Sequence, residues 1–95
     1  MLTIAKNIHF TKLVKAGSTL KEFNFRKLQA FTHPVYHIDV TDDRANRIIF
    51  KMQKEETGWF TQPSVIPVWI KQVETSLREI LELQEQGELQ HTYTY

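Results

Sequence analysis

The sequence predicts an α+β fold: a four-stranded antiparallel meander packed on one face by a long C-terminal amphipathic helix. Three observations predict it. Apolar residues recur at every second position from Leu20 to about Gln62, and every three to four positions from Ile66 to Leu83. The first spacing is that of a strand with one buried face and the second that of a helix, and the change occurs once. The third is size: 95 residues with a 41% apolar fraction can fill one core but not two. Residues 1–95 are therefore expected to form a single domain.

Residues 1–18 support two assignments. Leu2, Ile4, Ile8 and Phe10 alternate as a strand would, with Lys6 out of phase, whereas Phe10, Leu13 and Val14, followed by Ala16 and Gly17, fit a short helix with a glycine stop. A short N-terminal helix is the expectation. Leu20 to Leu28 then reads as the first strand, with Phe23 and Phe25 on one face and Glu22, Asn24 and Arg26 on the other. Gln29 to Pro34 reads as a loop, because Pro34 lacks a donor and biases His33 away from helix.

Val35 to Thr41 places Tyr36, Ile38 and Val40 on one side and His37 and Asp39 on the other. Its partner is Arg47 to Lys54, reached through the turn formers Asp42, Asp43 and Asn46. If Thr41 faces Arg47, then Val40 meets Ile48, Ile38 meets Phe50 and Tyr36 meets Met52, so both apolar rows coincide. A second reversal at Glu55 to Gly58 sends Trp59 to Gln62 back as the fourth strand, with Phe60 assigned to the core and Trp59 to the outer face.

Pro63 and Pro67 close the sheet and open the helix. Its apolar stripe is Ile66, Trp69, Ile70, Val73, Leu77, Ile80 and Leu81, and its other face carries Lys71, Glu74, Arg78 and Glu82, with Glu74 and Arg78 spaced as an ion pair. Gly87 is a helix stop, and 87–95 is expected to be a tail, with Thr and Tyr alternating from His91 to Tyr95.

Absent motifs narrow the function. With no cysteine there is neither a disulfide framework nor a thiolate nucleophile, and the serines Ser18, Ser64 and Ser76 sit in no glycine elbow. His33 and His37 have metal-like spacing, but four residues apart makes one ligand face only on a helix, and Pro34 removes the helix. Asp39, Asp42 and Asp43 lack the glycine and closing glutamate of a calcium loop. His37 beside Asp39 has the geometry of a carboxylate-oriented imidazole, for which ordinary surface pairing with Arg47 and Lys51 is the simpler account. The expectation is a protein that is not an enzyme and carries no cofactor or metal. No apolar run is long enough to span a bilayer and the N-terminus has no leader pattern, so a cytoplasmic protein without a membrane partner is expected.

Charge is divided along the chain. Residues 1–54 carry ten Lys and Arg against four Asp and Glu, while residues 55–95 carry two against seven. The basic part can attract phosphate, the acidic helix of its own chain, or the helix of a second copy. The outer sheet face is expected to combine Asn24, Arg26, His37, Asp39, Arg47, Ile49, Lys51 and Trp59, with Val35 and Gln53 beside them. Such a face fits a protein-interaction module, foremost a homodimer, its apolar members covered by a second subunit or by the N-terminal segment. The alternative is single-stranded nucleic acid stacked on Trp59.

Overall fold

A computed structural model describes residues 8–28, 33–63 and 65–87. Five strands form one antiparallel sheet in chain order: β1 His9–Ala16, β2 Thr19–Leu28, β3 Val35–Thr41, β4 Arg47–Glu55 and β5 Gly58–Gln62. Two helices follow, α1 Val68–Lys71 and α2 Glu74–Glu85. The α+β class is as expected, but the sheet has a fifth strand and the expected long helix is two shorter ones. Residues 1–7, with Leu2 and Ile4, most of the Gln29 to Pro34 loop, Ser64 and the tail beyond Gly87 lie outside the described residues.

The additional strand is β1, where a helix was expected. Phe10, Lys12, Val14 and Ala16 occupy every second position, and pairing with β2 runs from His9↔Arg26 to Ala16↔Thr19. Gly17 stands at φ 67° in the two-residue turn, a conformation that favours glycine. Leu13, which the helical reading buried with Phe10 and Val14, points away from the core and is 60% exposed, while Val14 is buried. Pairing with β2 satisfies backbone groups that an isolated short helix would leave to solvent.

The central hairpin has the expected register, Thr41↔Arg47 through Tyr36↔Met52. Its loop is organised by Asp42, whose Oδ1 accepts hydrogen bonds from the backbone N–H of Arg44 at 2.9 Å and of Asn46 at 2.8 Å. This is the Asx geometry for which aspartate suits turns.

The last hairpin corrects the face assignment of β5. Glu55 pairs with Gly58 across a two-residue turn, so Lys54 meets Trp59 and Met52 meets Thr61. Directly paired residues share a face. Even-numbered positions of β4 therefore share the core face with odd-numbered positions of β5. Trp59 is buried and Phe60 is 49% exposed, the reverse of the expectation.

The helical stripe is correct in phase but not in continuity. Ile66, Ile70, Val73, Leu77 and Leu81 are buried, with Trp69 and Ile80 packed beside them. The Val73 N–H bonds back three residues to the Ile70 carbonyl at 3.0 Å, tightening the chain there so that α2 starts afresh at Glu74. From the sheet the core receives Phe23, Phe25, Tyr36, Ile38, Val40, Phe50, Met52 and Trp59. Phe10 stacks on Phe25 with ring centroids 4.8 Å apart, and Tyr36 meets Trp59 edge-on at 5.9 Å.

Carboxylates of α2 fasten it to the sheet, Glu74 and Glu82 of the face opposite the apolar stripe among them. Glu85 pairs with Lys27 at 2.9 Å and accepts from the Tyr36 hydroxyl. Glu82 pairs with Lys54 and accepts from Trp59 Nε1 at 2.9 Å. Glu74 accepts from Thr61 at 2.5 Å, and Arg78, its expected partner, donates instead to Thr75. Part of the charge division is thus used within the chain.

Two predictions follow from this packing. Trp59→Ala should destabilise the domain by about 3–5 kcal/mol in urea denaturation, and Phe60→Ala by no more than about 0.5 kcal/mol. The opposite order would restore the original face assignment. Gln84 is fully buried, and neither polar atom of its side chain has a partner among the described residues. Gln84→Leu should therefore stabilise the domain by about 1–3 kcal/mol, the desolvation penalty of unpaired polar groups. A loss of stability would show that the glutamine is satisfied.

Candidate functional site

The face of the sheet opposite the helices is a grid set by register. One row crosses all five strands: His9, Arg26, His37, Lys51 and Gln62, each directly opposite the next. With strands about 4.8 Å apart, the row is about 19 Å long. On one side of it lies a largely apolar row of Leu28, Val35, Gln53 and Phe60. On the other lie Thr11, Asn24, Asp39 and Ile49. None of the helices packs on this face, since both draw on the opposite one.

Asn24, Arg26, His37, Asp39, Arg47, Ile49 and Lys51 share this face as expected. Trp59 does not; it lies in the core against Tyr36 and Glu82. Reasoning from sequence also missed His9, Phe60 and Gln62. The signal for Phe60 was the parity of the two-residue turn, and that for His9 was the alternation of Phe10, Lys12, Val14 and Ala16 on the other face.

A hydrogen-bond chain runs beside the central row. The Thr11 hydroxyl donates to Asn24 Oδ1 at 2.6 Å, Asn24 Nδ2 donates to Asp39 Oδ1 at 3.0 Å, and Arg47 donates to Asp39 Oδ2 at 3.0 Å. Both oxygens of Asp39 are engaged and its charge is matched by Arg47. Burial pushes the Asp39 carboxyl up, but the bonds from Arg47 and Asn24, with the charges of Arg47 and His37, outweigh it and hold the group below its ordinary value.

Arg26 and Lys51 make no ion pair among the described residues. His37 lies between them. Burial, then the charge of Arg26, lowers its pKa from the ordinary 6.5; Asp39 opposes this, and Arg47 and Lys51 add to it. Between that lowered value and the ordinary one, the unfolded chain binds more protons at His37 than the folded chain does. The His37 contribution to stability is thus complete above the ordinary value and diminishes as pH falls through it. For Asp39 the contribution is complete above the ordinary carboxylate value and is lost as pH falls through the lowered one.

A depression of 170 Å3 opens on this face, lined among others by His9, Arg26, His37, Asp39 and Arg47. It brings together two guanidiniums, of which Arg26 has no ion pair among the described residues, two imidazoles, and the Asp39 carboxylate that Asn24 and Arg47 engage. No group of three or more His, Asp or Glu among the described residues could hold a metal ion, and no helix among them is long and apolar enough to cross a membrane. No family model matches the chain, and no significant match is found among curated proteins or solved structures.

The electrostatics can be checked directly. In an NMR pH titration, His37 should titrate below the ordinary histidine value, Arg26→Gln should move it upward, and Asp39→Asn should move it further down. A His37 value indifferent to both substitutions would contradict the packing of this row.

Proposed function

We propose that this protein is a non-catalytic binding module that works through the outer face of its sheet and takes single-stranded nucleic acid there. The observation that carries the reading is the row His9, Arg26, His37 and Lys51. Four cationic or protonatable side chains stand directly opposite one another on adjacent strands, with no carboxylate in the row. A phosphate backbone lying along it meets Arg26 and Lys51, while bases turn toward the neighbouring row, where the Phe60 ring is half exposed and Gln53, whose amide N–H donates to Glu55 at 2.7 Å, offers its carbonyl. The stacking role first given to Trp59 falls to Phe60.

Fluorescence anisotropy with labelled mixed-sequence oligonucleotides tests this. Affinity should fall steeply with salt, and Arg26→Gln/Lys51→Gln should flatten the logarithmic slope by about 1.4, at about 0.7 for each phosphate contact. Phe60→Ala should keep the slope and lose about 1–3 kcal/mol at every salt concentration. Binding indifferent to salt and to these variants would overturn the reading, and tighter binding to polyglutamate would assign the face to an acidic protein partner.

Self-association is the second reading, favoured by a separate feature of the same face. Leu13 and Leu20 are neighbours near the β1–β2 turn and are 60% and 62% exposed. A symmetric pairing of two copies would bury them. Sedimentation equilibrium should then show a dimer that Leu13→Ser/Leu20→Ser dissociates, and a wild-type monomer at high micromolar concentration would exclude it.

A further inference from the structure

Resting on the nucleic-acid reading, we propose that the depression between Arg26, His37 and Arg47 seats a single phosphate group of the strand, and that His37 takes up a proton when the phosphate docks. The depression holds 170 Å3. That is below the roughly 300 Å3 at which small-molecule pockets begin, so it suits one phosphate and its immediate substituents rather than a whole nucleotide.

The seat is lined mainly by guanidiniums and imidazoles, His9 among them from β1. Arg26 directly faces His37 from β2, Lys51 directly faces it from β4, and Arg47 reaches the same space from β4. Asp39, two residues along β3, is the one carboxylate lining the seat among the described residues, and Asn24 and Arg47 each engage one of its oxygens. One lone pair on each oxygen is therefore engaged, and the charge is offset by Arg47. Arg26 has no ion pair among the described residues, so its planar donors are available to a phosphate in the paired geometry that guanidinium favours.

His37 makes the seat dependent on pH. In the free protein burial and the charges of Arg26, Arg47 and Lys51 favour the neutral imidazole, against the opposing pull of Asp39. A phosphate in the seat cancels the cationic field, and the imidazolium then donates a charge-assisted bond to it. The proton comes from solvent and returns to it on release, with no covalent bond made or broken. Affinity must then rise as pH falls, by up to tenfold for each unit by which docking raises the His37 value.

The full chain should be titrated with oligothymidylate between about pH 7.5 and about pH 5.5, the range in which histidine changes charge. Neither the diester phosphates nor the thymine ring titrates there, so the pH dependence belongs to the protein. Wild type should bind more tightly in acid, His37→Gln should bind with a flat profile, and Arg26→Gln should weaken binding throughout. A flat wild-type profile, or a rise that survives His37→Gln, would overturn the seat while leaving the face as the binding surface. Failure of oligothymidylate to bind at low salt would instead overturn the nucleic-acid reading. The seat is then judged with inorganic sulfate, whose charge is constant over this range. Saturable movement of the His37 ring resonances that Arg26→Gln abolishes supports it, and no movement rejects it.

Discussion

Register governs both the core and the candidate surface. Four consecutive antiparallel pairings fix, for every residue of five strands, which side of the sheet its side chain takes. A slip of one residue in any of them exchanges the two faces of that strand. At the β4–β5 turn it would bring Phe60 inward and carry Trp59 outward, separating the indole from Tyr36 and Glu82. The buried tryptophan and the exposed phenylalanine are consequences of one hydrogen-bonded pair, Glu55 with Gly58. The face that is read as functional is therefore as firmly specified as the hydrophobic core behind it.

The same alternation sorts the charges. Arg26 and Lys27 are neighbours in the chain, yet Lys27 reaches Glu85 on the helix side while Arg26 stands opposite His37 on the other. Lys54 is held by Glu82 and Lys21 by Asp43. The basic character of residues 1–54 is thus divided into lysines that fasten α2 and the β3–β4 loop, and cations on the outer face that α2 does not reach. Overall charge near neutrality conceals this separation, because the acidic helix neutralises only the face against which it packs.

The elements legible from sequence were those whose signal is local and repeated. Tyr36, Ile38 and Val40 against Met52, Phe50 and Ile48 allowed one register only, and the structure has it. Seven of the eight residues assigned to the outer face lie there because strand period alone placed them. Three readings failed for different reasons. Residues 9–16 have a strand's alternation, but Lys12 occupies one core-side position and Leu13 an outer one, which mimics helical spacing when tertiary pairing is unseen. The break at Val73 lies within an unbroken apolar stripe, so hydrophobic periodicity carries no trace of it. Trp59 was misplaced because a large aromatic ring was assigned without carrying Met52 and Lys54 through a two-residue turn.

A sheet face on which no helix of the described residues packs is by itself no argument for a ligand, since antiparallel sheets commonly present one face to water. Away from the Leu13 and Leu20 pair, its exposed apolar residues are no argument either: Ile49 and Phe60 are separated by polar positions, and scattered exposed apolar side chains are ordinary. The arrangement of charge is what distinguishes this one. Like charges directly opposite on paired strands destabilise a sheet, and a surface selected for stability alone would alternate Lys or Arg with Glu. The carboxylate beside the row is matched in this way, Asp39 accepting from Asn24 directly opposite it and from Arg47 further along β4. In the central row Arg26 instead faces His9 on one side and His37 on the other, and His37 faces Lys51. Burial is the main reason the His37 pKa lies below its ordinary value, and the charges of Arg26, Arg47 and Lys51 add to it against Asp39. Departures from local consistency concentrate where a surface serves something other than folding. On the proposed reading, an anion laid along the row would offset the charges of Arg26 and Lys51, for which the row itself holds no carboxylate.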